Sequence, residues 1–268
     1  MNEEKLFVLG TGNALVYDCF NTCFVLQTEG GRLLVDCGGG NGILNQLRAA
    51  GIEFNTIHNI FLTHCHCDHF NGLVWVLRMI ATAMSKDSYE GNLDIWCHNE
   101  LAEMVFPVCR FMLGNKLSKY FDERIFVHEV TDGEKRVLCG TDFTFFDIRS
   151  TKAKQFAFTA QLSGGKLAFM GDEPVNENCE KYAENAQWLF SEAFCLYADA
   201  EHYQPYKKHH STAKDAAELA QRLGAKRLLL WHTEEDHLAQ RRQLYTAEAE
   251  KAFQGEIFVP DDLDVISL

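Results

Sequence analysis

Apolar residues occur along the chain in two patterns: short runs that predict strands, and longer stretches with the three- to four-residue spacing of helices. In the first third, the predicted strands are Lys5–Leu9, Thr22–Thr28, Arg32–Asp36 and Asn59–Leu62. The predicted helices of this third are Ile43–Ala50 and Gly72–Ser85. Glu29-Gly30-Gly31 lies between two of the strands and predicts a hairpin turn.

The same alternation continues to the end of the chain. Strands are predicted at Leu93–Cys97, Phe143–Ile148, Phe156–Leu162, Lys166–Met170, Trp188–Glu192 and Arg227–Trp231, with a strand-like tail at Glu256–Leu268. Helices are predicted at Glu100–Cys109, 110–124, Thr212–Leu223 and Asp236–Phe253. Ser211 is the expected N-cap of the third of these helices, and Gly224 the expected end.

The two halves of the chain therefore share one plan, in which strands come first and strand–helix units follow. This plan predicts an α/β (α+β) fold with two sheets packed face to face and helices outside. Polar residues stand at the ends of several predicted strands, and in such layers we expect the chemistry at the carboxyl ends of the strands.

Length and composition favour one globular domain over residues 1–268, with 47% hydrophobic and 24% charged residues. No stretch is long and apolar enough to span a bilayer, so a membrane partner is not expected. Met1–Lys5 lacks the basic start and apolar run of a secretory signal. These features predict a cytoplasmic protein.

The cysteines and the net charge indicate the state of the thiols and the partners that the protein could bind. The chain has 10 cysteines, mostly in apolar segments, and without an export signal they favour packed thiols over disulfides. The formal net charge is -13, and basic residues occur only in short clusters such as Lys207-Lys208. Because nucleic acids and anionic membranes select basic patches, this balance disfavours both as partners.

The densest chemical signal follows the predicted strand Asn59–Leu62. His64, His66, Asp68 and His69 stand there within six residues. Imidazole and carboxylate are ligands of zinc, iron and manganese, and a short segment brings them together at little entropic cost. The segment therefore predicts a metal site. Cys65 and Cys67 alternate with the histidines. They could be softer ligands of the metal, but alternate residues of an extended segment face opposite ways, which favours thiols that point away from it.

The pattern His-x-His-x-Asp-His after a strand resembles the signature of the metallo-β-lactamase superfamily, which implies a four-layer αβ/βα sandwich. Leu34–Gly38, Met170-Gly171-Asp172 and Leu230-Trp231-His232 resemble further motifs of that superfamily, in the same order. The resemblance implies that Asp36 orients the metal loop, that Asp172 bridges two metals and that His232 binds the second of them.

Within the superfamily, the chain is most similar to the ribonuclease Z-like phosphodiesterases. Gly10–Ala14 resembles the opening of that branch, Ser191–Phe194 its His-Glu-Ala-Thr element with serine first, and His210–Ala213 its His-Ser-Thr element. The resemblance implies that Glu192 and His210 lie beside the scissile phosphate. The alternatives are that Glu192 is a solvated carboxylate at a strand end and that His210 belongs to a helix cap.

One expected ligand is missing. The resemblance implies that His64, His66 and a further histidine hold the first metal, and that Asp68, His69 and His232 hold the second. The position of the further histidine aligns with Arg149, which has no lone pair for a metal. Arg149 could occupy the first site as a fixed charge and pair with Asp172 or a substrate phosphate. His202 or His209 could replace the ligand, the site could be catalytically dead, or the alignment could be wrong.

The second departure from the family pattern concerns the size of the substrate. The resemblance implies a long arm before the bridging aspartate in bacterial enzymes that process transfer RNA. Arg149 and Asp172 are 23 positions apart, which is too close for such an arm. With the acidic charge, this makes transfer RNA an unlikely partner and favours a small or nucleotide-derived phosphodiester.

The sequence thus predicts a metal-dependent phosphodiesterase that uses one or two ions of zinc, manganese or iron per chain. Asp68 would orient or deprotonate a metal-activated water, and His210 would offset charge on the phosphate. The alternatives are a thioester, lactone or β-lactam hydrolase, a non-catalytic binding or sensor protein favoured by Arg149, and a flavin-linked oxygen reductase. The resemblance also suggests a homodimer.

Overall fold

The computed structural model describes residues 3–268. Met1 and Asn2, which begin the polar segment analysed above for a secretory signal, lie outside the described residues. The strands are β1 (Lys5–Gly10), β2 (Cys23–Thr28), β3 (Gly31–Val35), β4 (Asn59–Phe61), β5 (Leu93–Cys97), β6 (Ile125–Glu129), β7 (Lys135–Leu138), β8 (Thr141–Asp147), β9 (Phe156–Leu162), β10 (Gly165–Phe169), β11 (Trp188–Glu192), β12 (Arg227–Trp231), β13 (Glu256–Phe258) and β14 (Val265–Ser267).

The helices connect these strands. They are α1 (Gly42–Ala49), α2 (Cys67–Met84), α3 (Asn99–Leu113), α4 (Asn115–Ser118), α5 (Glu180–Ala183), α6 (Ala200–Tyr203), α7 (Ala213–Arg222) and α8 (Arg241–Ala249). Short 3-10 helices lie at Phe54–Thr56, Glu177–Cys179, Tyr197–Asp199 and Pro205–Lys208. Among the described residues, no helix has both the length and the hydropathy that a bilayer crossing needs.

The strands form two sheets that repeat one topology. The first sheet has the order β14-β1-β2-β3-β4-β5-β6 and the second the order β13-β12-β11-β10-β9-β8-β7. Strands β3 to β6 are parallel neighbours, as are β10 to β13, whereas β1, β2 and β3 pair antiparallel, as do β7 to β10. The shared plan predicted for the two halves of the chain is confirmed.

Three apolar clusters hold the layers together. The central cluster joins the inner faces of both sheets, with Phe24 and Phe61 from the first sheet against Phe158, Phe190 and Trp231 from the second. A second cluster lies between the first sheet and helices α1 to α4, and a third between the second sheet and helices α5, α7 and α8. The architecture is therefore a four-layer αβ/βα sandwich, as predicted.

The parallel strands bring polar residues to one place. Asp36 directly follows β3, Thr63 and His64 follow β4, Glu192 ends β11 and His232 follows β12. Because parallel neighbours end at the same edge of a sheet, these side chains meet at one edge of the sandwich.

Several predicted boundaries need correction. Helix α2 begins at Cys67, five residues before the predicted Gly72, so part of the metal motif is helical. Strands β6 and β7 were not predicted, since they are outer strands whose partly exposed residues give a weak alternation. The predicted helix 110–124 is mainly the end of α3 and the single turn of α4, and the helix predicted to begin at Asp236 begins at Arg241.

The predicted N-cap of α7 is also wrong by one residue. Thr212, not Ser211, accepts a hydrogen bond from the Asp215 backbone N–H, and the Asp215 carboxylate accepts one from the Thr212 backbone N–H at 3.0 Å. This reciprocal pair is a capping box, which satisfies N–H groups that the first turn of a helix leaves free.

We expect the substitution T212A to lower the free energy of unfolding by about 1 kcal/mol, because the cap acceptor is lost. T212S keeps the hydroxyl and serves as the matched control, with less than half of that loss. Urea denaturation of both variants beside the wild type measures the difference. Equal losses in T212A and T212S would show that the methyl group of Thr212, and not its hydroxyl, stabilises this helix.

Candidate metal centre

The metal motif changes its backbone conformation halfway. His64 and His66 lie in the extended segment after β4, and His66 is the N-cap residue of α2. Asp68 and His69 belong to the first turn of α2. The change from extended to helical backbone lets neighbouring residues of the motif aim their side chains at one point.

Asp36 holds this segment in place through three hydrogen bonds. Its Oδ1 accepts a hydrogen bond from the Thr63 backbone N–H at 2.9 Å. Its Oδ2 accepts from the Thr63 hydroxyl and from His69 Nδ1, each at 2.7 Å. A histidine whose Nδ1–H is donated to a carboxylate presents Nε2 as its free lone pair, which is the usual outer support of a metal ligand. The predicted orienting role of Asp36 agrees with this geometry.

Six predicted ligands lie together and form two groups of three, and Glu192 and His210 form a third possible group with His232. The first group is His64, His66 and Asp172, and the second is Asp68, His69 and His232. Within each group, the ligand atoms lie within 4.8 Å of one another.

Asp172 connects the two groups. Its Oδ2 lies 3.6 Å from His64 Nε2, 3.5 Å from His69 Nε2 and 3.7 Å from His232 Nε2. One carboxylate oxygen therefore faces histidines of both groups, which is the position required of a bridging ligand.

The buried atoms of this cluster fit a metal ion. His69 Nε2 and His232 Nε2 are buried and have no hydrogen-bond partner in the described structure. Buried polar atoms are normally paired, so two free ring nitrogens that face carboxylates require a further partner. A set of imidazoles and carboxylates suits zinc, manganese or iron. The six residues would hold such ions, and the donor set alone does not select the element.

The electrostatics of the cluster keep the ligands in the required forms. Burial raises the pKa of Asp68, but the facing imidazoles of His232 and His69 outweigh this effect and hold the pKa below its usual range. Burial also raises the pKa of Asp172, and His64, His69 and His232 lower it well below the usual value. Burial lowers the pKa of His64, which favours the neutral imidazole. At neutral pH both carboxylates are therefore charged and His64 can donate a lone pair.

His69 shows the need for a cation. Burial lowers its pKa, yet the carboxylates of Asp36, Asp172 and Asp68 raise it well above the ordinary value. The surroundings thus favour positive charge at His69 Nε2, which a proton or a metal ion supplies.

The expected place of Arg149 in the first metal site needs correction. Its side chain is 50% exposed and pairs with Asp132 at 2.5 Å and Asp147 at 3.5 Å. It forms no pair with Asp172 among the described residues. Arg149 has φ +64° two residues after the end of β8, and its guanidinium turns toward the carboxylates at the surface. His202 and His209 do not join the ligand groups either: His202 packs on Tyr203, and His209 lies 3.2 Å from the Thr151 hydroxyl.

Sequence reasoning missed Gln155, which lies at the first group instead. The residue is 1% exposed. Its Nε2 donates a hydrogen bond to Asp172 Oδ1 at 2.6 Å and lies 3.1 Å from His64 Nδ1. A polar residue at the start of an apolar strand was the signal that could have indicated it.

Glu192 and His210 lie beside the second group. Glu192 is 0% exposed, its Oε1 accepts from the Ser211 backbone N–H at 2.6 Å, and its Oε2 lies 3.6 Å from His210 Nδ1. The His210 ring stacks on Phe194 at 4.9 Å and lies 5.3 Å from the His232 ring. The alternatives of a solvated Glu192 and of a helix-capping His210 are both wrong, since Glu192 is buried and Thr212 caps α7.

Cys65 and Cys67 lie outside both ligand groups, and both thiols are exposed. The sequence placed them away from the metal because of an extended backbone, which holds for Cys65 only. Cys67 is the first residue of α2.

Comparison with known proteins finds a matching family and similar enzymes. The model of the family described as "Anti-Pycsar protein Apyc1" matches residues 4–255. The ribonuclease Z of Thermobifida fusca is 26% identical over 98% of this chain and 94% of its own length. The ribonuclease Z of Natronomonas pharaonis is 25% identical over 98% of this chain and 97% of its own length.

Solved structures show the same fold. The metallo-β-lactamase fold protein YhfI of Bacillus subtilis has a TM-score of 0.81 at 19% identity and covers 99% of both chains. The short form of human tRNase Z has a TM-score of 0.75 at 22% identity, over 98% of both chains. A diphosphatase of the PhnP family has a TM-score of 0.71 at 20% identity, over 99% of this chain and 97% of its own.

We expect R149A to keep the metal content of the wild type, because the guanidinium pairs only with surface carboxylates. H232A removes a direct ligand and should weaken binding at its position by at least about 10–100-fold, the usual loss for a mere supporting residue. Elemental analysis of protein purified without chelators, with zinc, manganese and iron each supplied, measures ions per chain. Equal losses in R149A and H232A would return Arg149 to the metal site.

Proposed function

Because the chain belongs to the Anti-Pycsar protein Apyc1 family, within the ribonuclease Z-like metallo-hydrolases, we propose that it is a metal-dependent phosphodiesterase. Its substrate is a small or nucleotide-derived phosphodiester, and water is the nucleophile. The observation that carries the proposal is the convergence of two ligand groups on Asp172, with Glu192 and His210 alongside.

Each residue has a role that its contacts support. A bound divalent ion supplies charge for the phosphate and lowers the pKa of a water to about 7. Asp68, whose Oδ2 lies 3.3 Å from His69 Nε2, would hold such an ion with His69 and His232, and its carboxylate would orient an attacking water and accept its proton. Its carboxylate is ionised at neutral pH, which suits it for this task.

His210 acts on the other side of the phosphate. Its Nδ1 is buried toward Glu192, so Nε2 is the ring nitrogen left for a substrate oxygen. From this position the imidazole can donate a hydrogen bond to a phosphate oxygen or a proton to the leaving oxygen. Stacking on Phe194 keeps the ring in this orientation.

The second sheet supports the proposal of a small substrate. Strands β9 and β10 form a hairpin whose turn is Ser163-Gly164, and this hairpin fills the sequence between Gln155 and Asp172. No arm extends from this part of the described chain, and the net charge is -13. Both features favour a small phosphodiester. The relatives described as ribonuclease Z favour RNA, so RNA is an alternative that the experiment must include.

A non-catalytic binding protein is the second candidate. The first ligand group has two histidines and Asp172, with no third histidine. The second group has its full set of three, which supports hydrolysis with the second ion alone or with both.

We expect the wild type to hydrolyse bis(p-nitrophenyl) phosphate or a cyclic nucleotide, and H210A to lower kcat by about 10²–10⁴-fold, the usual contribution of a general acid or base. The metal content of H210A should equal that of the wild type. The control H128A removes a half-exposed histidine of β6, which pairs with Asp94, and should keep full activity.

The substrate panel also contains an unprocessed transfer RNA. Cleavage of this RNA without cleavage of any small phosphodiester would replace the proposed substrate class. If metal-loaded protein cleaved none of the panel, the binding-protein alternative would take the place of the enzyme.

A further inference from the structure

The first ligand group has an unusual neighbour in Gln155. The carboxamide is almost fully buried and contacts two of the three members of that group, Asp172 and His64. An amide nitrogen can only donate a hydrogen bond, so Gln155 cannot bind a metal through the atom that faces Asp172. Through this nitrogen it acts on the ligands and not on the ion.

The two oxygens of Asp172 have separate partners. Oδ2 faces the Nε2 atoms of His64, His69 and His232 at 3.5 to 3.7 Å. Oδ1 accepts the hydrogen bond from Gln155 at 2.6 Å. Gln155 thus fixes the rotation of the carboxylate and leaves one oxygen for both metal positions.

The backbone holds Gln155 firmly in place. Its carbonyl accepts from the Ile148 N–H at 3.0 Å, and the next N–H, of Phe156, donates to the Thr63 carbonyl at 3.0 Å. Thr63 directly precedes His64, so Gln155 is tied to the metal loop as well as to Asp172. Gly171 keeps room for the carboxamide, because a Cβ at that position would lie 3.2 Å from Gln155 Cδ.

The two metal positions are therefore built differently. The second position has Asp68, His69 and His232 of its own in addition to the shared Asp172. The first has only His64 and His66 in addition to Asp172, and it depends on Gln155 for the orientation of that shared carboxylate.

We propose that Gln155 is a positioning residue that orients Asp172 and thereby enables weak binding of an ion at His64 and His66, next to a tight ion at Asp68, His69 and His232. The inference rests on the metal centre of the proposed function, and it adds the order in which the two positions bind their ions. The second position fills first, and the first position fills only at higher metal concentration.

Calorimetric titration of the metal-free full chain with zinc, and separately with manganese, tests this order with a chelator as competitor. The wild type should bind two ions in two separate steps. Q155M keeps an unbranched side chain of similar length without the donor. It should weaken the later binding step, which fills the position at His64 and His66, by about 10–100-fold, as loss of a supporting residue does. The earlier and tighter step, at Asp68, His69 and His232, should change less.

The chain offers a matched control in the same strand region. Gln161 lies in β9 with an exposed side chain, and Q161M should bind both ions as the wild type does. The melting temperature of metal-free Q155M should stay close to that of the wild type. If Q155M fails to fold, Q155N keeps the amide on a shorter side chain that no longer reaches Asp172, and should show the same selective loss.

The inference is overturned by a single binding step in the wild type, by two steps of equal affinity, by equal losses in both steps of Q155M and Q155N, or by no loss in either variant. Failure of the proposed function gives a different result. The wild type would then cleave no phosphodiester, while the two steps and the selective effect of Gln155 would remain.

Discussion

The buried carboxylate of Asp36 is the constraint on which the metal centre depends. It joins the end of β3 to the Thr63 hydroxyl and backbone and to His69 on the first turn of α2. A buried carboxylate without partners is costly, so these three hydrogen bonds form together with the fold. Asp36 itself has φ +54°, a conformation that aspartate adopts more readily than most residues, which turns its side chain under the loop. The start of α2, the direction of the loop before it and the tautomer of His69 thus depend on the Asp36 side chain.

Negative charge is concentrated beneath the site. Asp36, Asp68 and Asp172 are all buried, and the histidines between them offer lone pairs that have no protein partner at His69 and His232. Arg149 lies at the surface, where it pairs with Asp132, and adds no positive charge to the cluster. A metal ion would supply that charge and would be a partner for the free ring nitrogens.

Much of this structure could be predicted from the sequence, for a physical reason. The repeated strand–helix plan and the two facing sheets follow from apolar periodicity, and four of the candidate metal ligands stand together in the segment after β4. The αβ/βα layers and the candidate ligands Asp172 and His232 were predicted from the resemblance to known motifs. The role predicted for Arg149 was wrong because the position of a residue in an alignment does not show which way its side chain points. Arg149 follows its strand with φ +64°. Gln155 was missed because its function lies in a hydrogen bond across 17 positions, and an amide has no metal-ligand signature. Edge strands such as β7 were missed because exposed residues weaken the alternation.

The ligands come from both halves of the sandwich. His64, His66, Asp68 and His69 belong to the first sheet and its helix, whereas Asp172 and His232 belong to the second. An ion bound here is a cross-link between the two halves, so metal affinity and the docking of the halves are thermodynamically linked. During synthesis, the second position stays incomplete until His232 has left the ribosome, late in the chain. A chain that stalls before that point lacks His232 and also β14, the outer strand of the first sheet, so both the site and the sheet remain incomplete.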